Sequence, residues 1–279
     1  MQLLSPAKIN LFLKVIGKRP DGYHDLVSLM CGITLFDNIT VDIGGAGIAV
    51  SCNDPDVPTD ESNLVCRAVR VFQKAAGLNE GVRIDIRKHV PVGAGLGGGS
   101  SNAAALLTGL NEHYGFPLST DNLRSLGATI GADVPFFIDG KPAIATGIGE
   151  KLELFGGMPD FHLVLINPGF LVSTAEIFKK LKIGLTNSAK KPKRDLLIDQ
   201  KFDVASHLCN DLETVTSTIY PDIAEVKAAL IAQGAEGALM SGSGPTVFGL
   251  FSDSKSAERA KNNLAGRTGW RVFTARVLR

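Results

Sequence analysis

The densest chemical signal in the chain is one segment of twelve residues, Pro91-Val92-Gly93-Ala94-Gly95-Leu96-Gly97-Gly98-Gly99-Ser100-Ser101-Asn102. Five of the seven positions from Gly93 to Gly99 are glycine. Such a run is costly in backbone entropy and makes sense where the chain needs positive φ or the close approach of a ligand. The segment feeds a helical pattern, so its N–H groups and the positive end of the helix dipole converge on one spot suited to phosphate. Ser100, Ser101 and Asn102 add side-chain donors. Gly93, Gly95 and Gly98 also fit G-x-G-x-x-G, but no acidic residue follows about 20 residues on and no alternating parallel-sheet pattern surrounds it. The Walker A form needs Gly-Lys-Ser/Thr after the loop, and no lysine stands there. A turn without a ligand needs one or two glycines. The segment reads as a cradle for nucleotide phosphates.

Phosphoryl transfer would also need a group to accept a proton and a cation near the transferring phosphate. Asp133 is the candidate base, a lone carboxylate in Gly131-Ala132-Asp133-Val134-Pro135. The same pattern fits a helix N-cap with Pro135 just inside, and on the residues alone both readings stand. Lys8 is the candidate cation, between Ala7 and Ile9 and on the same strand face as Asn10. A surface lysine on an edge strand is the plainer alternative. An ammonium close to Asp133 would keep its carboxylate ionised.

The elements that must position these residues follow from periodicity. Residues 7–15 alternate as a half-buried strand, and the turn-rich Gly17–His24 segment predicts a loop. Short strands are expected at 39–43, 48–50, 82–87, 143–146, 161–166 and 271–277, with helices at 64–76, 121–130, 175–181 and 222–233 and one opening at the glycine segment. A strand–glycine loop–strand unit is expected over 238–251, and a charged helix from Ser254. A pattern change near Gly156–Pro159 puts a domain boundary there, giving domains 1–157 and 158–279. Strands and helices mix without regular βαβ alternation, so the class is α+β. The run Lys190-Lys191-Pro192-Lys193-Arg194 reads as a solvated loop.

Composition narrows the function. Lys and Arg number 29 against 28 Asp and Glu, a net charge of +1, which argues against a protein that coats nucleic acid. The four cysteines form no C-x-x-C motif and read as reduced thiols. No signal peptide and no apolar stretch of membrane-spanning length is expected, so a cytoplasmic protein with small-molecule partners, no nucleic acid and no membrane is predicted.

Pro-x-x-x-Gly-Leu-Gly followed by Ser-Ser and small residues resembles the phosphate loop of the GHMP kinases, the superfamily of galactokinase, homoserine kinase, mevalonate kinase and phosphomevalonate kinase. Ser5-Pro6-Ala7-Lys8-Ile9-Asn10-Leu11 is similar to its first motif, and Ser241-Gly242-Ser243-Gly244-Pro245-Thr246-Val247-Phe248 to its third. Arg19-Pro20-Asp21-Gly22-Tyr23-His24 and Gly131–Phe137 further resemble the branch that phosphorylates a cytidine diphosphate-linked polyol in the non-mevalonate isoprenoid pathway. Ala94 replaces a common glycine and Ala105 a common hydroxyl residue, with no loss of a chemical group.

The resemblance implies an N-terminal ribosomal-S5-domain-2-like nucleotide domain with a left-handed β-α-β unit, a C-terminal ferredoxin-like α+β domain, and an active site in the cleft between them. It allows the last residues to return to the first domain. It implies ATP as phosphoryl donor, Mg²⁺ carried with ATP, and transfer to the 2-hydroxyl of the polyol. It makes Lys8 and Asp133 catalytic, residues 91–102 the phosphate clamp, and Asn63 and Lys88 neighbours of the adenosine. Asn10, Tyr23, His24, Thr174, Phe178, Gly242, Ser243 and Gly244 fall at substrate positions, with Tyr23 and His24 suited to a cytosine ring and Phe178 matching a second stacking aromatic. On pattern alone Phe178 is core. A different GHMP kinase, of homoserine or mevalonate type, and an RNA-binding module of the same N-terminal fold are the rival readings.

Overall fold

A computed structural model of the chain describes residues 1–181 and 207–279. The basic run at 190–194 lies outside the described residues. The chain forms two compact units that interleave along the sequence.

The first unit comprises Met1–Lys8, Leu35–Val92 and Gly97–Gly140. Its sheet pairs Asn38–Ile43 of β2 (His24–Ile43) antiparallel with β4 (Val82–Arg87), which pairs parallel with β3 (Ile48–Cys52). Four helices accompany it: α1 (Leu64–Ala76), α2 (Gly98–His113), α3 (Thr120–Ile130) and α4 (Val134–Asp139). Val65, Ala68, Val69 and Phe72 recur at helical spacing on α1 and pack into one core with Ile84 and Ile86 of β4 and Leu106, Leu107 and Leu110 of α2. Asn63 opens α1 by accepting the Val65 N–H, and Gly77 closes it.

The second unit comprises Ile9–Thr34, Gly93–Leu96 and the described residues from Lys141 onward. In it, β1 (Gln2–Lys18) pairs parallel with β8 (Cys209–Asn210), and the first half of β2 pairs antiparallel with β5 (Ala143–Gly147), itself followed by β6 (Lys151–Leu154). A separate four-stranded antiparallel sheet has the order β11-β7-β10-β9, from β7 (His162–Asn167), β9 (Gly237–Met240), β10 (Val247–Phe251) and β11 (Arg271–Arg276). Helices α5 (Thr174–Lys180), α6 (Asp211–Ile219) and α7 (Asp222–Ala232) follow β7, and α8 (Ser254–Leu264) joins β10 to β11. The order of β7, α7, β9, β10, α8 and β11 is a ferredoxin-like β-α-β-β-α-β arrangement. Its core joins Val164, Ile166 and Val247 to Val226 and Leu230 of α7 and Ala257 and Leu264 of α8. At the C-terminus the Arg276 N–H donates to Thr34 and the Leu278 N–H to the Gly32 carbonyl of β2.

Several local expectations are corrected. β1 is not half-buried: Ala7 through Leu13 are all buried. The alternation misleads because Lys8 and Asn10 are buried polar residues, which imitate the wet face of a strand. β2 is a single strand of 20 residues rather than a loop and a short strand, and His24 is its first, buried residue. β6 was not expected, and α4 begins within the helix-breaking stretch 131–135, as the N-cap reading of Asp133 would have it.

Candidate functional site

The first unit holds Lys8, Asp133 and the second half of the glycine segment. Lys8 Nζ lies 3.6 Å from Asp133 Oδ2, with side chains 6% and 32% exposed. Lys8 is therefore no surface lysine. Asp133 stands at the N-cap position of α4, yet in αR geometry and with no side-chain capping hydrogen bond. Its carboxylate is thus unused by the helix it precedes. Val134 and Phe136, both buried, fix the backbone on its far side.

Gly97 connects this pair to α2. Its φ is +69°, and a Cβ there would lie 3.0 Å from the Phe137 ring and 3.1 Å from Lys8 Cγ. Both the torsion and the crowding demand glycine. Ser100 Oγ lies 3.5 Å from the position a Cβ on Gly131 would take, two residues before Asp133. Base, cation and the head of α2 therefore share one neighbourhood.

Beneath them runs a buried polar network that the sequence did not reveal. Asp37, fully buried on β2, is ion-paired with Lys88 and accepts the N–H groups of His89 and Val90 at 2.8 and 2.9 Å. Its Oδ2 also accepts Asn102 Nδ2 at 3.0 Å. Asn102 donates on to Ser5 Oγ, which itself donates to Ser101 Oγ, both at 2.8 Å. The segment entering the glycine loop (88–90) and the first turn of α2 are thereby tied to one carboxylate. A charged residue inside a largely apolar run was the one signal for Asp37. Lys88 and Asn63, expected beside adenosine, are engaged inside the unit: Lys88 with Asp37 and Asn102, Asn63 with Val65 N and the Pro58 carbonyl. Pro91 and Val92 belong to this unit, as do Gly97 to Asn102 at the other end of the segment.

The second unit holds Gly93–Leu96 and brings them against the loop after β9. Ser241 Oγ donates to the Gly95 carbonyl at 2.9 Å, and a Cβ on Gly95 would lie 2.1 Å from the Ser241 carbonyl oxygen. The Thr246 N–H reaches the Ala94 carbonyl at 3.4 Å. Thr174 Oγ1 and Ser243 Oγ share a hydrogen bond of 2.8 Å. Asn10 donates to Ser28 Oγ at 2.8 Å, and its Oδ1 stands 3.5 Å from where a Cβ on Gly242 would sit. The glycines, Asn10, Thr174 and Ser243 are thus collected together.

His24 and Phe178 stack on each other, with centroids 5.3 Å apart and planes 28° from parallel. Burial, aided by the nearby Lys18 charge, holds the His24 imidazole below its ordinary pKa, so it is neutral at physiological pH. Tyr23, by contrast, is 61% exposed at the turn, where its backbone N–H meets Asp21. The structure does not bring Tyr23 onto the His24–Phe178 stack as a third packed ring.

Comparison with known proteins agrees with this geometry. The GHMP kinases N terminal domain matches residues 63–141, and the GHMP kinases C terminal domain matches residues 198–269. A homoserine kinase structure from Cytophaga hutchinsonii, 19% identical, superposes over 99% of this chain and 94% of its own with a TM-score of 0.77, which shows the shared fold. Fold and motifs together define the class, an ATP-dependent small-molecule kinase of the GHMP type. A curated relative from Syntrophotalea carbinolica, named 4-diphosphocytidyl-2-C-methyl-D-erythritol kinase, is 47% identical over 97% of this chain and 96% of its own length. A second so named, from Syntrophus aciditrophicus, is 45% identical over 100% and 99%. The crystal structure of a 4-(cytidine 5'-diphospho)-2C-methyl-D-erythritol kinase is 34% identical, with 99% of both chains covered and a TM-score of 0.85. The chain belongs to the 4-diphosphocytidyl-2-C-methyl-D-erythritol kinase family.

Proposed function

We propose that the protein transfers the γ-phosphoryl group of ATP to the 2-hydroxyl of 4-diphosphocytidyl-2-C-methyl-D-erythritol, releasing ADP. The observation that carries the mechanism is the Lys8–Asp133 pair beside Gly97 at the head of α2. Asp133 accepts or orients the hydroxyl proton as the substrate oxygen bonds to the γ-phosphorus and the bond to the ADP oxygen breaks. Lys8 sets a positive charge 3.6 Å from the Asp133 carboxylate and offsets charge on the transferring group. Residues 91–102 bind the phosphates of ATP, Ser100 offering a hydroxyl near Asp133, while Asn63 and Lys88 shape the nucleoside side. Asn10, Thr174 and the Gly242–Gly244 loop bind the acceptor, and Tyr23, His24 and Phe178 receive its cytosine.

Among the described residues no group of three or more His, Cys, Asp or Glu could hold a metal ion. Mg²⁺ would then be held chiefly by the nucleotide phosphates, with a loop serine such as Ser100 as the protein group that would join them. When bound, the ion neutralises phosphate charge. No helix among the described residues is long and apolar enough to cross a membrane. A cytoplasmic enzyme acting on small molecules completes the reading.

Asp133→Asn tests it. Asparagine caps helices as well as aspartate does, and no capping bond exists to lose. Turnover should fall by about 10²–10⁴-fold while ATP still binds and Tm is unchanged. A fully active variant would end this mechanism. ATP consumption with the cytidyl acceptor, set against mevalonate, homoserine and RNA, separates the rival substrates.

A further inference from the structure

The loop after β9 takes its shape from side chains outside it. Asn210, the last residue of β8, is the N-cap of α6 and is buried. Its Oδ1 accepts the Leu212 N–H at 3.0 Å, and its Nδ2 donates to the carbonyls of Met240 and Gly242, each at 2.7 Å. Thr216 Oγ1 of α6, fully buried, lies 3.2 Å from the Ser243 carbonyl. The remaining carbonyl of the run, that of Ser241, accepts the Gly244 N–H at 2.9 Å. The carbonyls of Met240, Ser241 and Gly242 are therefore occupied, two of them by Asn210, while the Thr216 hydroxyl has one proton to share between the carbonyls of Leu212 at 3.1 Å and Ser243 at 3.2 Å. The N–H groups of Gly242 and Ser243 meet no acceptor among the described residues.

This division of labour matters because a peptide flip would exchange donors for acceptors. Gly242 and Gly244 sit at φ of +55° and +85°, so the loop has glycines at the hinges where such a flip is easiest. Turned outward, a carbonyl would repel the anionic groups of an acceptor that an N–H attracts. We propose that Asn210, seconded by Thr216, is a positioning residue for the phosphoryl acceptor. It holds the carbonyls of the loop inward so that the N–H groups of Gly242 and Ser243 face substrate. The inference rests on the assignment of this loop to the acceptor.

Asn210→Asp isolates the role, since aspartate keeps the helix cap but loses the donors. Assayed at about pH 8.5, where the new carboxyl is ionised, the variant should show KM for the cytidyl acceptor raised about tenfold or more. KM for ATP should stay within about twofold in the folded variant, although Tm should fall because the carboxylate now faces the two carbonyls that the amide served. Thr216→Val, of nearly the same shape, should move acceptor KM in the same direction by about threefold, and it decides the matter if Asn210→Asp does not fold. Wild-type acceptor KM in the folded variants, or an equal rise for both substrates, overturns the proposal. Gly242→Ala, strained at its positive φ and 3.2 Å from the Gly95 carbonyl oxygen, tests the underlying assignment. If Gly242→Ala raises acceptor KM and Asn210→Asp does not, only the role of Asn210 falls; if neither does, the loop assignment falls with it.

Discussion

The glycine loop that leads into α2 and the loop that follows β9 are both held from outside, but by opposite chemistry. At the entry and exit of the first, Asp37 meets four donors: the Lys88 ammonium, Asn102 Nδ2 and the N–H groups of His89 and Val90. A carboxylate offers about four acceptor sites and no hydrogen, so it alone among side chains of this size can satisfy them all. Asn210 faces the reverse problem, two carbonyls and one N–H, and only an amide both gives and accepts in that ratio. The inventory of donors and acceptors around each loop therefore dictates which anchor it needs. The energetic consequences differ as well. A buried charge depends on its partner, whereas a buried amide loses only what its own bonds contribute.

The comparison breaks most visibly at Lys88. Lys88→Met leaves Asp37 buried with its cation gone, and breaking a buried pair in this way costs about 3–5 kcal/mol. Urea unfolding should show that loss. Asp37→Leu combined with Lys88→Met should recover part of it but not all, since the His89 and Val90 N–H groups then lack an acceptor. A Lys88→Met protein within about 1 kcal/mol of wild type would mean that charge is not what holds the first loop.

The neutral anchor should be the gentler one to remove. Asn210→Ala deletes a helix cap, typically about 1 kcal/mol, and leaves two carbonyls unpaired, so about 2–3 kcal/mol is expected. Measured under the same urea conditions, a loss larger than that of Lys88→Met would invert the comparison.

Those anchors also mark the limit of what the chain shows as a string of residues. The glycine segment, Lys8 and Asp133 were legible because each lies in a compact local pattern, and α1 and the β9–loop–β10 unit were legible for the same reason. Asp37 was not, because its partners stand 51 to 65 positions away, and Asn210 reads locally as a helix cap while its other partners lie 30 and 32 positions on. The buried faces of β1 were hidden by a related effect. Polar side chains at Lys8 and Asn10 look solvent-facing until their partners in space are known.

A smaller difference between the units concerns pH, and it turns on His24. Burial beside Phe178, with the Lys18 charge adding to it, lowers the folded-state pKa of His24 from the ordinary 6.5. In the unfolded chain the imidazole gains its proton near pH 6.5, while the folded chain resists it. The unfolded state thus binds more protons as pH falls below that value, and stability declines until the folded-state pKa is passed. Asp211 of the same unit works in the other direction. Burial raises its pKa above 3.8, so its share of stability grows as pH falls through the raised value. A single pH curve would mix the two, and the useful measurement is a difference. His24→Phe keeps an aromatic ring against Phe178 and removes the titration. Between about pH 7.5 and 5.5, wild type should lose more Tm than His24→Phe, with Asp211 cancelling from the comparison. Parallel curves for the two proteins would place the His24 ring in a site open enough to charge in the folded state.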